Sequence, residues 1–258
     1  MIVATWNVNG VNGRLPLLLR WLGERAPDVV CLQELKAPDA KFPAAALREA
    51  GYEAVWHGQP RWNGVAILSR AGAPVETRRG LPDDPAPEQS RYIEAAVNGV
   101  LVAGLYLPNG NPRPGPRFDG KLAWFDALAA HAGELMASGL PVVLAGDFNV
   151  MPTNADVYRP ERWTDDALFA PSVRARFAGL VEGGWTDAVR ALHPDATVYT
   201  FWDYLRHAWA RNAGLRIDHL LLSPSIAGRL VRAEVDAHVR GWEHASDHAP
   251  VWIELAEP

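Results

Sequence analysis

Eight apolar runs, each closed off by turn residues, constrain this chain more than any other feature: "MIVATW", "PDVVCLQ", "NGVAILS", "YIEAAV", "VLVAGLYL", "LPVVLAGDF", "RIDHLLLS" and "HAPVWIEL". Short apolar runs of this kind fit strands, several of them buried on both faces. Between some of them lie helically spaced stretches: "GRLPLLLRWLGERA" near the start, "KLAWFDALAAHAGELMAS" in the middle and "DDALFAPSVRARFAGLVEGGW" later. Strands interleaved with helices predict a layered α/β domain.

The Pro-rich stretches "RRGLPDDPAPEQSR" and "LPNGNPRPGPRFDG" are too short and too apolar for linkers, so they read as surface loops on one domain over residues 1–258. "TWNVNG" and "GDFNVMPTN" each end a strand with Asn-Val, an internal echo that fits two similar halves packed sheet on sheet.

Composition narrows the function classes. The first residues pass straight into a strand pattern, with no basic segment or cleavage site of a secretory signal. No apolar run approaches the roughly 20 residues a bilayer requires. A single cysteine, Cys31, rules out an internal disulfide and any cysteine-rich zinc site, and reads as a small core residue. The net charge of -5 gives no basic signature for nucleic acid, although an enzyme that holds cations with carboxylates carries local negative charge by design. Eleven tryptophans fit either buried aromatics or stacking platforms.

Some motifs are excluded. "GPRFDGKL" matches a phosphate loop in outline, but Leu122 stands where Ser or Thr is needed and no strand precedes it. No G-x-S-x-G or H-E-x-x-H occurs, so acyl-transfer and zinc-protease chemistry lack support.

What recurs is Asn, Asp, Glu and His where predicted strands end: Asn7, Glu34, Tyr106 leading to Asn109, Asp147 with Asn149, Asp218, and Asp247 with His248 before the last strand. Strand ends are where functional groups sit on layered α/β scaffolds. Singly, each has a simpler account: Asn7 and Asn149 as turn residues, Glu34 as a solvated charge, Asp218 as a partner of Arg216 or Arg211, Tyr106 as core, His219 and His248 as structural. As a set they supply hard oxygen ligands suited to Mg²⁺ or Mn²⁺, with groups that orient water, an inventory suited to phosphodiester hydrolysis.

The segments "TWNVNG", "LQELK", "WNGVAILS", "LYLPNGN", "AGDFNV", "YTFWDY", "LRIDHLLLS" and "SDHAPV" run in order through nearly the whole chain. Together they resemble the exonuclease III family of apurinic/apyrimidinic endonucleases, within the DNase I-like phosphohydrolases. "LYLPNG" and "TFWDY...LRID" narrow the resemblance to the DNA-repair branch. It implies a four-layer α/β sandwich, two packed mixed sheets flanked by helices. It implies a Mg²⁺-dependent hydrolase, with Mn²⁺ able to substitute, that trims 3' ends of duplex DNA, removes 3' phosphates and cuts 5' to abasic sites. Asn7, Glu34 and Asp247 would hold the main ion, and Asp147, Asn149 and His248 a second. Asp147 would orient the attacking water, Asn149 place the phosphate, Tyr106 bond the phosphate or developing oxyanion, and Asp218 fix His248 against a phosphate oxygen.

By the same resemblance Phe201, Trp202, Leu205 and Leu215 would form or flank the pocket for a base-free sugar, with Leu215 where some relatives carry Trp. Asn109, Arg113, Arg117, Lys121, Arg206, Arg211 and Arg216 are expected to contact the DNA backbone, and an exposed Trp163 to cap a 3' end. Duplex DNA with abasic sites, nicks or blocked 3' ends is the expected partner, with no membrane association. A minimal monomeric form in the bacterial cytoplasm is expected. A phosphoester substrate other than nucleic acid, and a purely structural acidic cluster, are the alternatives.

Overall fold

All eight apolar runs form strands in the computed structural model, which describes residues 1–257. The strands are β1 (Ile2–Asn7), β2 (Val29–Gln33), β3 (Glu53–His57), β4 (Val65–Ser69), β5 (Val75–Arg79), β6 (Tyr92–Val97), β7 (Val100–Tyr106), β8 (Val142–Asp147), β9 (Thr186–Asp187), β10 (Asp218–Leu222), β11 (Leu230–Val235) and β12 (Val251–Leu255). They make two six-stranded sheets in the orders β11-β12-β1-β2-β4-β3 and β5-β6-β7-β8-β10-β9. In each sheet a central parallel pair, β1 with β2 or β7 with β8, is flanked by antiparallel strands. The Asn-Val echo falls where β1 and β8 end, with Asn7 closing β1 and Asn149 two residues past β8, and these are equivalent strands of the two sheets.

Period-2 alternation sorts the side chains into three apolar layers. Val3, Val29, Cys31, Val102, Val143, Ala145, Leu220 and Ile253 fill the seam between the sheets. Ala4, Trp6, Val30 and Leu32 face outward onto helix Leu15–Arg25 through Leu18, Trp21 and Leu22. Ala103, Leu105, Val142 and Leu144 face outward onto helices Pro116–Ala137 and Pro171–Glu182 through Trp124, Phe125, Val173 and Phe177. Helix, sheet, sheet, helix is the four-layer sandwich.

The same alternation places the site. Residues two apart share a face, so the seam-facing series Val3, Thr5 ends on Asn7, Val143, Ala145 ends on Asp147, and Val100, Val102 ends on Tyr106. Seam-facing Leu220 is likewise two residues from Asp218. Asn7, Tyr106 and Asp147 close parallel strands, whereas Asp218 opens antiparallel β10, paired directly with Asp147. Asp218 was expected at a strand's C-terminal end; the antiparallel pairing brings its N-terminal end to the same edge. Gly146 makes this edge tight, because a Cβ there would collide with the Leu105 carbonyl.

Helix 116–137 starts ahead of the predicted stretch because Pro116 and its preset φ suit a first helical turn. The stretch 165–185 splits into a 3₁₀ turn, Ala167–Phe169, and the helix from Pro171. Pro171 disfavours helical backbone at Ala170, which is extended at ψ 135°.

Arg216 is 1% exposed, not a DNA contact: its guanidinium bonds Asp156 at 2.6 Å and Asp187 at 2.8 Å. Asp156 also takes Arg190 at 2.6 Å. Burial opposes ionisation of Asp156, but Arg216, Thr153 and Arg190 outweigh it and hold its pKa near 2. Arg216→Met should destabilise the fold by roughly 3–5 kcal/mol in denaturant titrations, since it leaves the buried Asp187 carboxylate without its cation and takes one of two from Asp156. Because the folded pKa of Asp156 is depressed, its contribution is present above its unfolded value near 4 and is lost as pH falls toward about 2.

Candidate active site

The seam opens onto a hydrogen-bonded string of polar groups. Asn7 Nδ2 donates to Glu34 Oε1 at 3.1 Å and to Asp147 Oδ2 at 3.0 Å. The Tyr106 hydroxyl donates to Glu34 Oε1 at 2.7 Å. Asp147 Oδ1 accepts the Asn149 backbone N–H at 2.9 Å, and Asn149 Nδ2 donates to the Leu107 carbonyl. Asn149 and Glu34 both adopt left-handed backbone, at φ 48° and 52°, which turns their side chains back over the strand ends.

A second string meets the first at Asp147. His248 Nδ1 lies 2.8 Å from Asp218 Oδ2, and its Nε2 lies 3.8 Å from Asp147 Oδ2. The Thr200 hydroxyl donates to Asp218 Oδ2 at 2.6 Å, and Phe201 packs edge-on against the imidazole at 5.0 Å. Asp247 and His248 share no strand face, because both precede β12 in a loop fixed by the Ser246 hydroxyl, which donates to the Asn7 carbonyl.

Electrostatics separate the roles available to these groups. Burial opposes charge on His248, but Asp218 outweighs it and lifts the imidazole to about 10, so the ring is cationic at neutral pH. Burial raises the Asp147 carboxyl, Asp218 adds repulsion and His248 works against both. Burial likewise opposes the Glu34 carboxylate, yet bonds from Lys36 and Tyr106 hold its pKa below the usual range. Burial and the facing Glu34 and Asp147 push the Tyr106 hydroxyl upward, so it remains a donor.

Asp147, Asp218 and His248 offer ligand atoms within 4.8 Å of one another. Asp247 does not touch Glu34 directly. It takes Asn9 Nδ2 at 3.0 Å, Asn9 Oδ1 takes Lys36 Nζ at 2.6 Å, and Lys36 sits 2.8 Å from Glu34 Oε2. An ammonium seated between a carboxylate and an amide oxygen shows that this edge accepts a cation, and the donors around it are hard oxygens of the kind Mg²⁺ requires. Asn9, Lys36 and Thr200 are thus parts of the site that were not singled out, although each lies inside a motif quoted above.

Several expected DNA contacts take other places. Lys121 is wholly buried, donating to the carbonyls of Asn149 at 2.6 Å and Asn109 at 3.1 Å. It fits because Gly110, at φ 85°, has no Cβ; one would stand 2.5 Å from the lysine's Cδ. Lys121 therefore braces two loops of the site from inside. Trp202 is 2% exposed and turns its Nε1 to Asn212, away from the cavity. His219 is a core histidine between Phe148 and Phe177, held neutral by burial and Arg216.

Phe201, Leu205, Arg206, Arg211, Arg113 and Leu215 do line one cavity of about 650 Å³. Trp163 lines it too, half-buried where exposure was expected, with its Nε1 on the Tyr158 carbonyl. Arg113 clasps the Thr164 and Asp165 carbonyls at the rim. Arg117 is exposed on the helix beyond, and Asn109, exposed, reaches Asn149 Oδ1 at 3.3 Å.

Comparisons with known proteins agree with this geometry. Exodeoxyribonuclease III of Haemophilus influenzae is 33% identical over 263 residues, spanning 97% of this chain and 98% of its own. The 3' phosphatase NExo from Neisseria, solved with a product DNA hairpin, superposes over 100% of both chains with TM-score 0.95 and 42% identity. An AP endonuclease from Archaeoglobus fulgidus superposes over 99% of both chains with TM-score 0.94 and 33% identity. The profile of the Endonuclease/Exonuclease/phosphatase family matches residues 4–248, and the chain belongs to that family, within its exonuclease III branch.

Proposed function

We propose that this chain is a Mg²⁺-dependent DNA-repair phosphodiesterase, one catalytic domain over residues 1–258. It removes 3' phosphates and nucleotides from duplex DNA and cuts the backbone 5' to abasic sites. The carrying observation is the buried Asp147 carboxylate, set between Asn7, Asn149 and the His248–Asp218 pair at the mouth of the seam. The relatives described above, an exodeoxyribonuclease III, a 3' phosphatase bound to product DNA and an AP endonuclease, support this substrate class.

Asn7, Glu34 and Asp247 would hold one ion, with Asp147, Asn149 and His248 available to a second; Mn²⁺ would substitute. When bound, the ion neutralises charge on the phosphate and the leaving 3' oxygen. Asp147 aligns the attacking water and takes its proton, which its raised pKa favours. The His248 imidazolium donates Nε2–H to a phosphate oxygen while Asp218 holds Nδ1. Asn149 places the phosphate, and Tyr106 donates to the oxyanion. The scheme requires no second subunit, so we read the protein as a monomer, and its bacterial exodeoxyribonuclease relative fits a bacterial cytoplasmic setting.

The direct test incubates the protein with an abasic-site duplex and with a 3'-phosphorylated nick, each with Mg²⁺ and with chelator. Cutting only with Mg²⁺ is the expected outcome, and no cutting of either substrate would refute the reading. Trp163→Ala should raise KM for 3'-phosphorylated ends by about 10-fold, the scale of one lost aromatic stack. Unchanged trimming and abasic-site cutting would remove Trp163 from substrate binding.

A further inference from the structure

The corner that carries Asp147 and Asn149 is tied down from behind. Asn149 holds left-handed backbone at φ 48°, which a non-glycine residue keeps only where its surroundings enforce it. Here three separate segments do so. Phe148 N donates to the Ile217 carbonyl, Met151 N donates to the Leu168 carbonyl, and Lys121 Nζ donates to the Asn149 carbonyl. A fourth tie is a side chain the reaction scheme leaves unused: the His219 imidazole, 3.1 Å from the Val150 carbonyl.

His219 stands on β10 directly opposite Gly146 and is closed off from solvent. Its ring meets Phe148, the residue between Asp147 and Asn149, edge-on at 5.5 Å. Arg216 Nη1 lies 3.2 Å from His219 Nδ1, and a guanidinium has donors only. In the neutral ring Nδ1 must therefore accept, the single proton sits on Nε2, and Nε2 donates to Val150. Arg216 is in turn held by Asp156 and Asp187. A chain of hydrogen bonds of fixed direction thus runs from the buried ion pairs through Arg216 and His219 to the residue beside Asn149. Such a seat matters to rate, because a shift of about 1 Å in a reacting geometry costs on the order of 10²-fold.

We propose that His219 is a positioning residue for the reaction: by holding the Val150 carbonyl and the Phe148 ring it fixes the corner from which Asn149 meets the phosphate. It touches no substrate, and the inference rests on the phosphodiesterase reading above. Two amides separate the roles of the ring's nitrogens. In His219→Gln the amide reaches the place of Nε2 and keeps a donor for Val150. In His219→Asn the shorter amide reaches only the place of Nδ1, so it meets Arg216 and leaves the Val150 carbonyl bare. Single-turnover cleavage of 3'-phosphorylated and abasic duplexes in Mg²⁺ is measured below the melting transition of each variant, with duplex Kd in chelator. His219→Asn should slow cleavage by ~10- to 100-fold with Kd unchanged, and His219→Gln should keep most of the wild-type rate. Added to Asn149→Ala, His219→Asn should cost little more, because it acts through Asn149. If the asparagine variant melts below the assay temperature, His219→Leu, apolar and donor-free, takes its place with the same loss expected. Equal rates for the two amides, rescue by asparagine rather than glutamine, or a loss that persists in full beside Asn149→Ala would overturn the inference while leaving the enzyme reading intact. A wild-type protein that cuts neither duplex would sink both.

Discussion

Asp147→Asn is expected to lower kcat on both abasic and 3'-phosphorylated duplexes by ~10²–10⁴-fold, the usual contribution of a positioned general base. Duplex Kd, measured in chelator, should stay the same or tighten. The substitution keeps the side chain's shape and its acceptor for the Asn149 N–H, but removes the only charge on the group facing His248 Nε2. It also sets one amide against another at Asn7 Nδ2, so the Asn7 side chain must turn. A buried carboxylate repels phosphate, so its removal has no reason to weaken ground-state binding. Loss of binding in parallel with turnover would mean that Asp147 holds DNA rather than water.

The central strands were legible because they are buried on both faces and carry unbroken apolar runs. The strands that went unread are of another kind. β5 is exposed throughout and reads "VETRR", β3 is half-buried, β9 has two residues, and β11 is largely solvent-facing. Edge strands of this sort carry charge to discourage further pairing, which removes the apolar pattern that would betray them.

The site shows the same division. Asn7, Tyr106 and Asp147 stood out because a polar group closes an apolar strand. Lys121, Arg216 and Trp202 were misplaced because a letter code does not report burial. Each is a polar or charged group satisfied inside the fold, by carbonyls, carboxylates or an amide on other segments, 10 to 60 residues away in sequence. Lys36 and Asn9 escaped notice because their role exists only across the gap from Glu34 to Asp247.

Asp218→Asn should lower kcat/KM by roughly 10- to 100-fold, the scale of one lost charge-assisted hydrogen bond to the phosphate. Asp218 is a positioning residue: it is fully buried, and its carboxylate both aims His248 and supplies the charge that keeps the ring cationic. An amide in its place still accepts the Thr200 hydroxyl, so the β10 end should remain in place. What changes is the ring. Burial then acts unopposed by the carboxylate and lowers the imidazole pKa, so the variant should lose activity as pH rises through that lowered value. Wild type should show no such limb from His248 at neutral pH, since its pKa stands near 10. If Asp218 acts through His248, then Asp218→Asn added to His248→Asn should cost little beyond His248→Asn alone, because the two groups work as a unit. Fully additive losses in that cycle, with a pH profile unchanged from wild type, would show that Asp218 supports the sheet edge and not the histidine.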